Sequence, residues 1–189
     1  MNRSDITAVI LAGGAGRRLG YRNKGLVEFE GQRLIEHVLA RIHPQVGRVV
    51  VVANADVDAY RQLGLDVIED TDFRGEGPLA GILAAARITQ CPWLLVVPCD
   101  LPFLANDLVA RLADSLGDLS AAIAHDGERE QFLVALLRTE LAREIEPYLK
   151  SARRSVHGWL ATHPYTTANF SDQPDSFRNI NTPQDLLSL

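Results

Sequence analysis

Four runs of the chain are apolar with no polar alternation: Ile6–Leu11 (ITAVIL), 48–53 (RVVVVA), 66–68 (DVI) and Trp93–Pro98 (WLLVVP). Such runs, rich in Val, Ile and Leu, suit parallel strands covered on both faces. Between them, RLIEHVLARI (33–42) and LAGILAAARI (79–88) carry apolar residues at helical spacing. This alternation of β and α predicts right-handed crossovers and an α/β fold: a Rossmann-like three-layer αβα sandwich with a mostly parallel sheet. Further on, DLVARLADSL (107–116) reads as a helix, SAAIAH (120–125) as a strand, DGER (126–129) as a turn and EQFLVALL (130–137) as another strand. The last two strands either pair as a hairpin across the Asp-Gly turn or lie apart in a mixed sheet. Helices are expected at about 138–149 and about 153–162, before a terminal TPQDLLSL segment.

In an open parallel sheet, ligands gather at the carboxyl ends of the strands. The segments leaving the four strands are LAGGAGRR, ANAD (53–56), EDTD (69–72) and CDLP (99–102). All should lie along one edge, which makes a Gly-rich loop and two acidic clusters neighbours in space.

Composition narrows the picture. A chain of 189 residues, 47% hydrophobic and 23% charged, suits one sizeable α/β domain. A net charge of -5 disfavours a dedicated nucleic-acid or acidic-membrane binder, so the basic residues at 17–24 form a local cluster suited to a small anion. Cys91 and Cys99 make neither a C-x-x-C pair nor a disulfide framework, the N-terminus lacks signal-peptide character, and no apolar stretch is long enough to span a membrane. A cytoplasmic location is expected. The five histidines form no metal-binding motif.

The stretch LAGGAGRRLGYRNKG (11–25) combines little side-chain bulk with much positive charge, and can bring backbone N–H groups and then cations up to an anionic ligand. No Gly-Lys-Ser or Gly-Lys-Thr occurs, which excludes a Walker A loop. A dinucleotide fingerprint starting at Gly14 and Gly16 would place its third small residue at Leu19, and the second strand ends at Asn54 instead of an acid.

The run LAGGAGRRLG followed by NKG resembles the signature of nucleotidyltransferases. With GPLAG (77–81), PCDLPF (98–103), HDGER (125–129) and NINTPQDL (179–186), the resemblance narrows to the molybdenum cofactor guanylyltransferases and covers nearly the whole chain. It implies a fold like that of the nucleotide-diphospho-sugar transferases and transfer of GMP from GTP to molybdenum-molybdopterin, with release of pyrophosphate. The glycine loop, Gly14 included, would wrap the triphosphate, Arg18 and Lys24 would hold its phosphates, with Arg17 as a further candidate, and a later Asp would hold Mg²⁺. Gly13, in LAGG where cytidylyl relatives tend to carry LAAG, favours GTP. The chain departs from the family pattern at Asn23, where Asp is usual before the motif Lys, and at Glu130, Gln131 and Phe132, where a His or Pro commonly follows HDGER.

Leu11, Ala12 and Gly13, at a strand end, would present main-chain groups to a purine and ribose. Asp100 follows WLLVVP directly and is the expected magnesium ligand and catalytic residue, together with Arg18 and Lys24. The resemblance places Asp70 at the nucleotide; Asp72 reads as a solvated turn residue. GPLAG puts small residues and free N–H groups near the base, Gly81 being its most informative position. Asn54 reads equally as a nucleotide contact or a turn residue. Asn179 and Asn181 would read the acceptor, with Asn181 alternatively capping the last helix. Arg153 and Arg154 would either bind the acceptor's phosphate or sit exposed at a helix start. Cys99 reads as small apolar filling.

The expected organisation is one nucleotidyltransferase domain over 1–189, with 1–104 binding GTP and Mg²⁺ and 105–189 the acceptor. Expected partners are GTP, molybdenum-molybdopterin and receiving apoproteins or their chaperones, with no nucleic acid and no membrane, for a monomeric chain. Two alternatives stay open: a nucleotidyltransferase for another small phosphate, such as molybdopterin cytidylyl or sugar-1-phosphate transfer, and a non-catalytic GTP-binding cofactor carrier.

Overall fold

The computed structural model describes residues 1–13 and 23–180. In chain order the elements are β1 (Ile6–Leu11), the short hairpin β2 (Glu28–Phe29) and β3 (Gln32–Arg33), α1 (Leu34–Ile42), β4 (Arg48–Val52), α2 (Val57–Gln62), β5 (Val67–Ile68), α3 (Pro78–Ile88) and β6 (Trp93–Pro98). They continue with α4 (Leu108–Ser115), β7 (Ala121–His125), β8 (Glu130–Arg138), α5 (Thr139–Arg143), α6 (Ile145–Lys150), α7 (Val156–Leu160) and β9 (Thr166–Asn169). Among the described residues seven strands make one sheet in the order β5-β4-β1-β6-β8-β7-β9.

Only β8 runs against the others: it pairs antiparallel with β6 and β7, while β1, β4, β5 and β6 pair parallel and β9 joins β7 in parallel. β7 and β8 are the hairpin that the Asp-Gly turn allowed. The apolar runs are continuous because both faces of the central strands are covered. Ala8, Ile10, Leu95 and Val97 pack on one side with Ile35, Val38 and Ile42 of α1 and Leu108 and Leu112 of α4. Val9, Val50, Leu94 and Val96 pack on the other with Leu79, Ile82 and Leu83 of α3 and Trp159 of α7. Those two cores are the interfaces of the three layers.

Register decides what this scaffold presents. Leu11 lies opposite Val52 on one side and Pro98 on the other, and Val52 lies opposite Ile68. Four strands therefore end level, and the residues that follow them leave at a single edge.

Two expectations needed correction. The helix expected over 138–149 is two short ones, α5 and α6, because Pro147 has no N–H to donate and its ring would collide with the carbonyl of Arg143, four residues back. The helix expected from 153 starts at Val156, where the Ser155 hydroxyl caps it by accepting the Gly158 N–H at 3.0 Å. The sequence pattern also gave no sign of α2 or β9. The terminal TPQDLLSL segment lies outside the described residues.

Candidate active site

A cleft of about 1020 Å³ opens at the edge where the strands end. It exists because the sheet comes apart there: the β6–β8 ladder stops at Val96↔Ala135, so Val97 and Pro98 continue without a partner on that side. Leu11, Gly13, Lys24, Asn54, Asp70, Gly81, Asp100 and Asn179 all line this cleft. Ala12 stands behind it, buried, with its N–H donated to the Val52 carbonyl at 2.9 Å; that amide belongs to the sheet and is not offered to a ligand. Gly14, Arg17, Arg18 and Asn181 lie outside the described residues.

Lys24 and Asp100, 76 positions apart, meet in this cleft with Nζ 3.0 Å from Oδ2. The Asp100 side chain is 9% exposed and that of Lys24 26%. The Asp100 carbonyl accepts the Ile180 N–H at 3.1 Å, which ties the segment carrying Asn179 to the strand end. Next door, Asn23 is buried: its Oδ1 accepts the Tyr60 hydroxyl at 2.6 Å and its Nδ2 reaches the Ala55 carbonyl at 3.4 Å. Asn23 is thus held in place beside Lys24, outside the cleft lining. Cys99 is buried and its thiol is pushed up to about 12, first by burial and then by the charge of Asp100. It is a packing residue and no nucleophile.

Asp100 fits a magnesium ligand. Its Oδ1 has no hydrogen-bond partner among the described residues, and no cluster of three or more His, Cys, Asp or Glu is found among them. A single carboxylate completed by phosphate oxygens is how this ion is commonly held, whereas a closed protein cage would need more donors.

Asn54 and Asp70 support one another. Asn54 Oδ1 accepts the Asp70 N–H at 2.9 Å, and Asp70 Oδ1 accepts the Phe73 N–H at 3.1 Å, closing the loop after β5. Asp70 is buried while it does so. Asp72 pairs with Arg87 at the surface, away from the cleft lining. The loop reaches α3 through Gly77, whose φ of 91° is one that L side chains rarely adopt.

The opposite side of the cleft comes from β8. Ile123 pairs with Ala135 but Ala124 with Gln131, leaving Phe132, Leu133 and Val134 looped out of the ladder and into the cleft lining. The departures at 130–132 have partners in place. Glu130 accepts the Tyr165 hydroxyl, Gln131 Nε2 donates to Asp126 Oδ2 at 2.6 Å, and Phe132 packs against His157 with ring centroids 4.7 Å apart. Asp126 would be raised by its burial, but the N–H groups of Arg129 and Glu128 and the Gln131 amide hold it below the usual carboxylate range. Arg178, which sequence reasoning missed, lines the cleft with its guanidinium over the Phe103 ring at 5.0 Å; its place beside Asn179 was the available signal. Arg153 and Arg154 are not part of the lining: Arg153 lies over Tyr148, and Arg154 pairs with Glu76 at 2.8 Å.

A doubly wound sheet with a glycine-bearing strand end, a lysine and a buried aspartate at one edge is the arrangement of the α/β nucleotide-binding class. Residues 8–166 match the family model described as the MobA-like NTP transferase domain, and the chain belongs to that family. It is 45% identical over 183 residues to the molybdenum cofactor guanylyltransferase of Shewanella halifaxensis, covering 96% of this chain and 92% of the relative. That of Shewanella sediminis is 46% identical over 181 residues, covering 95% and 92%. Among solved structures, the molybdopterin-guanine dinucleotide biosynthesis protein A from Archaeoglobus fulgidus superposes with a TM-score of 0.78 at 27% identity, covering 96% of this chain and 95% of that one. A cytidylyltransferase for 2-C-methyl-D-erythritol 4-phosphate from Thermus thermophilus, at 19% identity and a TM-score of 0.75 over 100% and 97% of the two chains, shares the fold.

Proposed function

We propose that the chain transfers GMP from GTP to molybdenum-molybdopterin, forming the guanine dinucleotide cofactor and pyrophosphate in the cytoplasm. The observation that carries this reading is the Lys24–Asp100 pair in a cleft at the strand ends, large enough for a nucleotide and an acceptor. The identity with relatives named molybdenum cofactor guanylyltransferase supplies the choice of substrates. Residues 1–104 take GTP and residues 105–189 the acceptor, in keeping with a cleft lined from both halves. Among the described residues no helix is long and apolar enough to cross a membrane.

The acceptor's phosphate monoester is already anionic near neutral pH, so its oxygen attacks the α-phosphorus in line without a general base, and the bond to pyrophosphate breaks. Asp100 would hold Mg²⁺, which would supply Lewis-acid neutralisation of the phosphate charge. Lys24 sets a point charge against the phosphate oxygens, with Arg18 as the second cation. Leu11, Gly13, Gly14, Asn54, Asp70 and Gly81 shape the nucleotide side, and Asn179 and Asn181 the acceptor side. Catalysis is then positioning and charge neutralisation.

The test is pyrophosphate release from each of the four NTPs with Mg²⁺ and molybdenum-loaded molybdopterin, repeated with Asp100→Ala. Release with GTP alone, abolished by the substitution, is the expected result. Release with CTP, or only with sugar phosphates as acceptors, discards the substrates and keeps the chemistry. GTP binding with no release in any mixture points to a carrier.

A further inference from the structure

Tyr60 lies on α2, outside the cleft lining, and its side chain is fully buried. Its hydroxyl nevertheless meets the segment that carries Lys24 on both sides of that residue. It donates to Asn23 Oδ1 at 2.6 Å, and it comes so near the Gly25 backbone that a Cβ built there would lie 2.5 Å from the phenol oxygen. The amide of Asn23 is oriented by its second contact, Nδ2 to the Ala55 carbonyl, so its oxygen is the atom left for the phenol. Immediately after it the chain makes one tight turn, with Leu26 N–H donating to Asn23 O and Val27 N–H to Lys24 O. A Tyr phenol in this setting stays a donor throughout the working range, because burial, and then the neighbouring Cys99 and Asp56, push its pKa far above the ordinary value.

We propose that Tyr60 is a positioning residue for Lys24: through Asn23 and Gly25 it fixes the backbone from which the ammonium is delivered to the nucleotide phosphates beside Asp100. This rests on the reading of Lys24 as a phosphate ligand. A lysine reaches its target on a flexible four-carbon stem, so only a fixed backbone makes one position of Nζ prevail. Without the hydroxyl, Asn23 Oδ1 is a buried acceptor with no donor, and the turn shifts to find one. A displacement of this kind costs about tenfold in binding or rate, the equivalent of one lost hydrogen bond.

Two measurements test this. In a double-mutant cycle on the affinity for GTP with Mg²⁺, read by calorimetry, Tyr60→Phe should weaken binding about tenfold when Lys24 is present and add nothing in the Lys24→Ala background. Equal weakening in both backgrounds shows a structural clip unrelated to Lys24 and overturns the proposal. The second readout needs no nucleotide. The chain has two lysines, Lys24 and Lys150. Lys150 is 67% exposed and serves as the internal reference for acylation by an anhydride, followed by mass spectrometry.

Release of Lys24 from its place beside Asp100 should raise the Lys24-to-Lys150 ratio in Tyr60→Phe and in Asn23→Leu. Asn23→Asp, which can still accept the phenol proton, should restore it. A ratio unmoved by both Tyr60→Phe and Asn23→Leu overturns the proposal. If the wild type fails to bind GTP while the ratio moves as expected, the functional reading falls and the positioning role stands. Where Tyr60→Phe lowers the melting temperature too far, the two Asn23 variants carry both measurements.

Discussion

Gly81 sits in the first half of α3, where an exposed Gly→Ala change would ordinarily stabilise a helix by about 1 kcal/mol. Here the outcome should reverse. A Cβ at this position would lie 3.1 Å from Leu11 Cδ2 and 3.1 Å from Val52 Cγ1, against an optimum of about 3.5–4.0 Å for carbon pairs. Val52 is β-branched, buried and held in β4 between β1 and β5, so its methyl gives way at a cost in packing. Leu11 is part-exposed and lines the cleft, so the strain is relieved by pushing it into the space read as the nucleotide's. Overpacking of this sort costs about 1–3 kcal/mol, which leaves a net loss near 1 kcal/mol after the helix gain and a fall in melting temperature of about 2–4 °C. Because the contact is made equally with bound substrate and transition state, KM for GTP should rise several-fold with kcat nearly unchanged. Calorimetric melting and initial rates against GTP concentration decide it. A melting temperature that rises by the ordinary helix increment, with KM unmoved, refutes the packing argument.

Two further outcomes follow from the same neighbourhood. Gly25 does not have the left-handed φ that favours glycine, and the sharpest clash of a Cβ there is with the Tyr60 hydroxyl, so Gly25→Ala should lose most activity alone and recover part of it when combined with Tyr60→Phe, as measured by pyrophosphate release. No recovery in the double variant would mean that another neighbour, such as Cys99 Cβ at 3.3 Å, sets the limit. At pH 8 iodoacetamide should alkylate the part-exposed Cys91 and leave Cys99 untouched until denaturant is added, since the Cys99 thiol is pushed up to about 12; peptide mapping that finds Cys99 modified in the folded protein contradicts its burial.

The apolar runs announced the central strands because each is packed on both faces, and burial of that kind is written locally, residue by residue. The order of strands along the chain then placed Leu11, Asn54, Asp70 and Asp100 at one edge, since parallel strands joined by crossovers all end on the same side. Even the break between α5 and α6 was present in the sequence, as Pro147. What periodicity leaves out is pairing across distance. It does not report that β6 runs beyond its β8 ladder and opens the cleft, nor that β8 loops out Phe132, Leu133 and Val134 to line it. These are matters of register between strands, which depend on both partners.

The chain by itself therefore determined the class of fold, the edge that matters and the residue types gathered there. Only the tertiary structure decided how they are used: Ala12 spends its amide on the sheet, Asn54 and Asp70 brace each other, Asn23 is clamped by a buried tyrosine, and Arg178 enters the cleft. The physical reason is the range of the forces concerned. Hydrophobic burial is proportional to area and marks each residue independently of its eventual neighbour, whereas a hydrogen bond or an ion pair acts over a few ångströms and exists only once the whole chain has brought its two partners together.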